Sequence, residues 1–355
     1  MNVPTDLIAF GVALFGSLAL TVPVRHLAIR FGMVDKPNPR KVHSKPMPLL
    51  GGMAIYLGFV PAILFAFHSG PQQQIIGILG GATLLAFVGI LDDGGWLHHQ
   101  VKLFIGMPVA ALFLIGSGIH AGIITAFVPG TAGVILDGCL TVLWVVGITA
   151  SFSILDHMDG LCAGIAAIAA VFYALTAHLW GQTMVFTLAI ATLGAALGFL
   201  WWNFNPAKIF MGDGGAMFLG FLMATLGLKI HPAGEQQLPG TWLVPVLILG
   251  APIFDTTLVS ISRARRGLLP FTSPGKDHSA HRLSNLGFGH RGAVLLMYAG
   301  AAFVGGLGLW AAVLPASGEY TILAVAAAAA LVFVLFFESA PYERQDKLPK
   351  SSTAH

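Results

Sequence analysis

Residues 184–213, MVFTLAIATLGAALGFLWWNFNPAKIFMGD, decide the fold class. No side chain from 184 to 202 is charged, and a helix of that length rises about 28 Å, close to the hydrocarbon thickness of a bilayer. The chain then turns polar at Asn203, presents Lys208 and Asp213, and is apolar again from residue 214. The alternation of apolar span and short charged gap continues in both directions. Eleven candidate spans fall near 5–24, 49–68, 75–91, 101–119, 136–155, 161–179, 184–202, 214–230, 241–261, 292–313 and 320–338. The expectation is an all-α polytopic membrane protein. Its 355 residues, 56% hydrophobic and 9% charged, agree, since soluble domains carry roughly 25% charged residues.

The positive charges orient the spans. All eighteen Lys and Arg residues except Lys229 lie in alternate gaps: 25–48, the stretch around Lys102, the stretch around Lys208, 262–291, and the tail. Cytoplasmic loops collect Lys and Arg, which puts the N-terminus outside and the C-terminus in the cytoplasm. The first apolar run follows Asp6 rather than a basic segment and reads as a retained helix, not a signal peptide. Cys139 and Cys162 sit in apolar context and offer neither a disulfide framework nor a metal quartet. We expect one transmembrane domain over 1–339 and a polar tail over 340–355. The longest outer gap, 120–135, has the Pro129-Gly130 pair of a short hairpin.

The acidic residues cluster on the same face as the cations. Asp92, Asp93, Asp156, Asp159 and Asp213 all stand at inner ends of spans. The spacing of Asp156 and Asp159 places both on one face if the segment is helical. Carboxylates brought together repel unless a cation neutralises them, and an oxygen-only set favours a hard ion such as Mg²⁺, bridging carboxylates and phosphates. Around Asp213, Gly212, Gly214 and Gly215 permit close approach of backbone to ligand, at the start of a helix whose first amides suit an anion; the plainer reading of these glycines is helix packing. In HSAHRLSNLGFGHRG, His278 and His281 share a face if helical, beside Arg282. The loop 35–52 combines basic residues with four prolines ahead of Gly51-Gly52, as a stiff substrate-side segment would.

In chain order, DKPNPRKVHSKPMPLLGG (35–52), ILDDGGW (90–96) followed by Lys102, SILDHMDGL (153–161), NPAKIFMGDGGAMFLG (205–220), PIFDTT (252–257) and HSAHRLSNLGF (278–288) resemble the polyprenyl-phosphate N-acetylhexosamine-1-phosphate transferases. These belong to glycosyltransferase family 4, and the likeness is to the undecaprenyl-phosphate N-acetylglucosamine-1-phosphate transferase branch. The resemblance implies eleven spans and Mg²⁺-dependent chemistry, with Mn²⁺ the alternative ion. In that reaction sugar-1-phosphate passes from a UDP-sugar to polyprenyl (undecaprenyl) phosphate at the cytoplasmic face of the bacterial inner membrane. UMP is released, and a cell-envelope polysaccharide such as O-antigen is begun. It further implies Asp92 and Asp93 as catalytic acids, Asp159 and Asp213 as metal ligands, and substrate contacts from Lys45, Lys102, Asp156, Asn203, His278, His281 and Arg282. The partners are the lipid, the donor and the membrane, in a chain that forms a homodimer and takes no nucleic acid.

Four positions depart from that pattern: Ala150 and Ser153 stand where asparagines are usual, His157 where glycine is usual, and Ala280 where histidine is common. They lie toward the donor and leave the acids intact. Two rival readings remain from sequence. One is an ion- or proton-coupled transporter, which would need ionisable groups near mid-bilayer, where only Asp255 stands. The other is a catalytically degenerate family member, motivated by the missing asparagines.

Overall fold

The computed structural model describes residues 3–35, 46–68, 70–232, 241–268, 275–314, 316–340 and 342. They fold into helices α1 (Val3–Arg30), α2 (Gly51–Ala66), α3 (Gln72–Asp93), α4 (Lys102–Gly116), α5 (Thr131–Leu155), α6 (Leu161–Leu179) and α7 (Thr183–Asn203). These are followed by α8 (Gly212–Lys229), α9 (Leu243–Ile248), α10 (Gly250–Arg265), α11 (Ser279–Leu283), α12 (Gly289–Ala311) and α13 (Ala316–Ser339). Every expected span coincides with one of these helices, except that 241–261 is broken into α9 and α10. Seven helical stretches among the described residues are long and apolar enough to cross a membrane, and α2 and α4 are shorter apolar helices. A helix satisfies its own backbone, which hydrocarbon requires. Much of the apolar surface lies outside any core of the chain, as a surface facing lipid would: in α13 only 11% of the most apolar stretch is buried.

The expected all-α chain contains one small exception. Strands β1 (Val34–Asp35) and β2 (Met47–Pro48) pair antiparallel. The chain beyond β2 is tied to the segment before α8: Phe210 N–H donates to the Pro48 carbonyl at 2.8 Å, and Gly51 and Gly52 N–H donate to Phe210 and Met211 carbonyls at 3.0 and 2.8 Å. No strand forms in the outer gap where a hairpin was expected. Asp137 takes its place, accepting the Ile124 and Thr125 amides at 2.8 and 2.9 Å and so holding that turn to α5.

Helix α8 is the centre of the molecule. It packs against α2, α3, α5, α6 and α7, and nearly every residue from Gly212 to Leu228 is buried. The glycines around Asp213 explain how. A Cβ on Gly52 would fall inside van der Waals distance of the Gly215 amide nitrogen, and one on Gly89 would strike the Gly214 backbone. The glycine run is therefore used for helix contact, the plainer of the two sequence readings.

Overpacking a site bounded by backbone costs about 1–3 kcal/mol or more. Gly52→Ala and Gly89→Ala should each lower the melting temperature in detergent and reduce the monodisperse fraction. Gly138→Ala, with nothing within 4 Å of its new methyl group, should change neither.

Candidate active site

Asp93 ends α3 against the first turn of α8. Its Oδ1 accepts the Asp213 N–H at 2.9 Å and its Oδ2 accepts the Gly214 N–H at 3.2 Å. The sequence reading offered those amides to a bound anion; the side chain of Asp93 takes them instead, at the start of the helix. Gly212, at φ +73°, makes the turn, and a side chain there would strike Asp93.

Lys102 opens α4 in a π-helical turn. Its Nζ donates to Asp92 Oδ2 at 2.6 Å and to Asp213 Oδ2 at 2.5 Å, joining α3 to α8. The other Asp213 oxygen accepts the Ser153 hydroxyl at 2.5 Å. Residues 156–160 are not helical, so Asp156 and Asp159 do not share a helix face; a turn between α5 and α6 presents them instead. Asp159 Oδ2 accepts the Asn205 side-chain amide and the Ala207 N–H, both at 3.0 Å. Asn203 clamps this turn to the next segment, accepting the Gly160 N–H and donating to the Ile209 carbonyl, each at 3.0 Å.

Asp92, Asp93, Asp156, Asp159 and Asp213 line one cavity of about 720 Å³, together with Asn203, Lys276 and His281. That volume is within the range of small-molecule sites. Burial first, then the charges of Asp213 and Asp159, push Asp156 up to about 7. Such a carboxyl reports uncompensated negative charge. A carboxylate-rich donor set of this kind fits a hard divalent cation.

The histidines divide. His278 precedes α11 in extended conformation and is buried, its Nδ1 2.9 Å from Asp255 Oδ2. Asp255 Oδ1 accepts the Ser279 N–H at 2.7 Å and the Ser279 hydroxyl at 2.6 Å. His281 lines the cavity and His278 does not, so the shared face expected for them is absent. The ring between them is His157, stacked on His278 at 4.2 Å and 4.8 Å from His281. Burial and the neighbouring His278 hold His157 well below the usual histidine range. His157, Asp255 and His278 bring potential ligand atoms within 4.8 Å of one another. Both Asp255 oxygens are bound to donors from His278 and Ser279, which ties down the one acid of a transporter reading, and His157 adds only its stacked ring.

The comparisons with known proteins follow this geometry. The family model for glycosyl transferase family 4 matches residues 75–231. The chain is 38% identical over 298 residues to a probable undecaprenyl-phosphate N-acetylglucosaminyl 1-phosphate transferase of Bacillus subtilis, covering 82% of this chain and 80% of that one. It is 32% identical to the decaprenyl-phosphate N-acetylglucosaminephosphotransferase of Mycobacterium tuberculosis H37Rv, over 78% and 75% of the two chains. The undecaprenyl-phosphate alpha-N-acetylglucosaminyl 1-phosphate transferase of Escherichia coli K12 is 29% identical over 88% and 84%. The chain belongs to glycosyl transferase family 4. It is a phosphoglycosyl transferase.

Three expected site residues of the transferase among those described, Lys102, His278 and Arg282, do not line the cavity, although Lys102 reaches two carboxylates that do. Lys45 lies outside the described residues. Arg282 is fully buried elsewhere: it donates to the Asp277 and Phe337 carbonyls at 2.8 and 2.6 Å and to Glu338 at 3.0 Å, with its guanidinium 4.0 Å from the Tyr342 ring centroid. It ties α11 to the end of α13. Sequence reasoning missed His157 and Ser153 as cavity groups, naming them only as departures, and missed Asp277 altogether. Asp277 is gripped by Arg263 at 2.8 Å and Arg266 at 2.6 Å, a match the clustered arginines of 263–266 signal in hindsight.

Burial raises the Asp277 carboxyl, but the two guanidinium groups outweigh it and bring it down to about 2. A depressed carboxylate stabilises the fold above its unfolded value near 3.8, and that stability fades as pH falls toward the folded value. Asp277→Asn should cost about 2–3 kcal/mol at pH 7. Thermal unfolding in detergent should show the gap between variant and wild type constant above pH 5 and narrowing below about pH 4.

Proposed function

We propose that this transferase moves a sugar-1-phosphate, of the N-acetylhexosamine class, from a UDP-sugar to polyprenyl phosphate, releasing UMP and beginning a cell-envelope polysaccharide. The observation that carries this reading is the convergence of five carboxylates, from the end of α3, the turn between α5 and α6 and the start of α8, on one cavity, with Lys102 paired to two of them. Phosphoryl transfer needs charge neutralisation and in-line positioning and little covalent chemistry from the protein. With the charged gaps inside, the chain has eleven spans, N-terminus outside and C-terminus cytoplasmic, and this cavity faces the cytoplasm of a bacterial cell membrane. The names of the relatives support the lipid acceptor and the N-acetylglucosamine unit.

Asp159 and Asp213 would hold Mg²⁺, which when bound supplies Lewis-acid neutralisation of the donor diphosphate and of the departing UMP. Lys102 pairs with both Asp92 and Asp213 and offsets their like charge. Asp93 has each oxygen engaged by an α8 amide and acts as the architect of the junction. Of the paired acids, Asp92 is the one assigned to take the proton from the lipid phosphate. The deprotonated phosphate oxygen attacks the sugar-bearing phosphorus of the donor, and the bond from that phosphorus to the bridging oxygen breaks. His281 and Lys276 line the opposite wall and bind the anionic donor.

Purified protein incubated with undecaprenyl phosphate, Mg²⁺ and a panel of UDP-sugars should release UMP, and chelator should abolish release. Lys102→Met and Asp213→Ala should each reduce turnover by about 10²-fold or more, the scale expected for losing a fixed charge from a phosphoryl-transfer site. Full activity of Asp213→Ala in excess chelator would overturn the metal assignment.

A further inference from the structure

The turn between α5 and α6 presents an imidazole whose nitrogens have unequal partners. His157 Nδ1 lies 3.1 Å from the Ile154 carbonyl oxygen. A carbonyl only accepts, so Nδ1 carries the hydrogen and Nε2 is the lone-pair nitrogen of a neutral ring. Nε2 is buried and has no hydrogen-bond partner among the described residues. Native structures match nearly all such atoms, and an unmatched one beside a cavity is open to a partner from outside the chain. Around it, His157 covers the Asp255–His278 pair on one side and lines the cavity on the other.

The chemistry of Nε2 limits what can satisfy it. A phosphate oxygen is itself an acceptor and is excluded, which removes the diphosphate. What fits is an O–H or N–H group: a hydroxyl or acetamido N–H of the sugar, or an O–H or N–H of the uridine. We propose that His157 is a specificity-determining residue of this transferase, its Nε2 accepting a hydrogen bond from an O–H or N–H group of the nucleotide sugar. This rests on the UDP-sugar reading above. The Asp255–His278 pair, held in place by Ser279, is the platform that fixes the plane of the ring.

The test compares wild type with His157→Phe, which keeps a flat ring for stacking and removes both nitrogens, and with His157→Gln, which restores an acceptor. UMP release gives the KM for each of two UDP-N-acetylhexosamines epimeric at C4, the KM for undecaprenyl phosphate, kcat, and the inhibition constant of UMP. Loss of one buried hydrogen bond is expected to raise the donor KM of His157→Phe about tenfold, with kcat and the lipid KM within about twofold and partial recovery in His157→Gln. A contact to the sugar raises the donor KM and leaves UMP inhibition alone, and it changes the epimer preference where the C4 hydroxyl is the donor. A contact to the uridine weakens UMP inhibition about tenfold and leaves the preference alone; either outcome upholds the proposal. Donor KM, preference and UMP inhibition all unmoved in His157→Phe, or a fall in kcat alone, overturns it while the donor reading stands. If His157→Phe does not fold, His157→Gln and His157→Ala are compared on the same measurements. Should the wild type release no UMP from any UDP-sugar, the donor reading falls and this proposal falls with it.

Discussion

The structure depends on one contact: the Asp93 carboxylate closing on the first amides of α8. A helix start leaves backbone N–H groups unmatched, and in a membrane protein's interior no bulk water is available to satisfy them. Asp93 satisfies two of them from a neighbouring helix, which fixes the register of α3 against α8. That register is attainable because glycine faces glycine at the crossing, Gly89 on Gly214 and Gly52 on Gly215. Asp213 is the second residue of the helix so held, and its direction follows from the junction. The acidic cavity is thus a consequence of how tightly three helices meet.

Tight convergence concentrates negative charge, and the rest of the site manages it. Lys102 sits between Asp92 and Asp213, Ser153 donates to the other Asp213 oxygen, and Asp159 is held by Asn205 and a backbone amide. Asp156 has no comparable cationic neighbour, and its carboxyl rises accordingly. On the far wall the same problem is solved differently. Asp255 is matched by His278 and Ser279, and Asp277 by two arginines, so these acids support the histidine segment and add no free charge to the cavity. One wall has carboxylates in excess of protein cations, suited to a divalent ion; the other is balanced within itself.

Much of this was legible in the sequence. Long uncharged runs can only be helices where backbone must satisfy itself, so the helices appeared where hydropathy placed them. The acids at 92, 93, 156, 159 and 213 share a cavity because each stands at a span end on the side marked by Lys and Arg. What was not legible depends on partners far away in the chain. Periodicity assigned His278 and His281 a common helix face, but Asp255, more than twenty residues earlier, draws His278 out of α11 and into the interior. Arg282 read as a cavity cation because it adjoins histidines, yet the end of α13 claims it through Phe337 and Glu338. The glycines near Asp213 permitted two readings, and only the facing glycines on α2 and α3 decide between them.

The four departures from the family pattern now separate by location. Ala150 is buried in the main core, and Ala280 packs in a second cluster with Leu155, Met158 and Leu161, so both fill space where a polar side chain would need a partner. Ser153 retains a hydrogen-bonding role, holding Asp213 in place of a longer amide. His157 lines the cavity as well and brings an imidazole to it. A chain losing its function would be expected to relax the acids along with the donor side. Here all five acids of the cavity are present, and the departures fall on the end of α5, the turn after it and the histidine segment. That pattern argues for a transferase with an altered donor wall and an intact acidic centre.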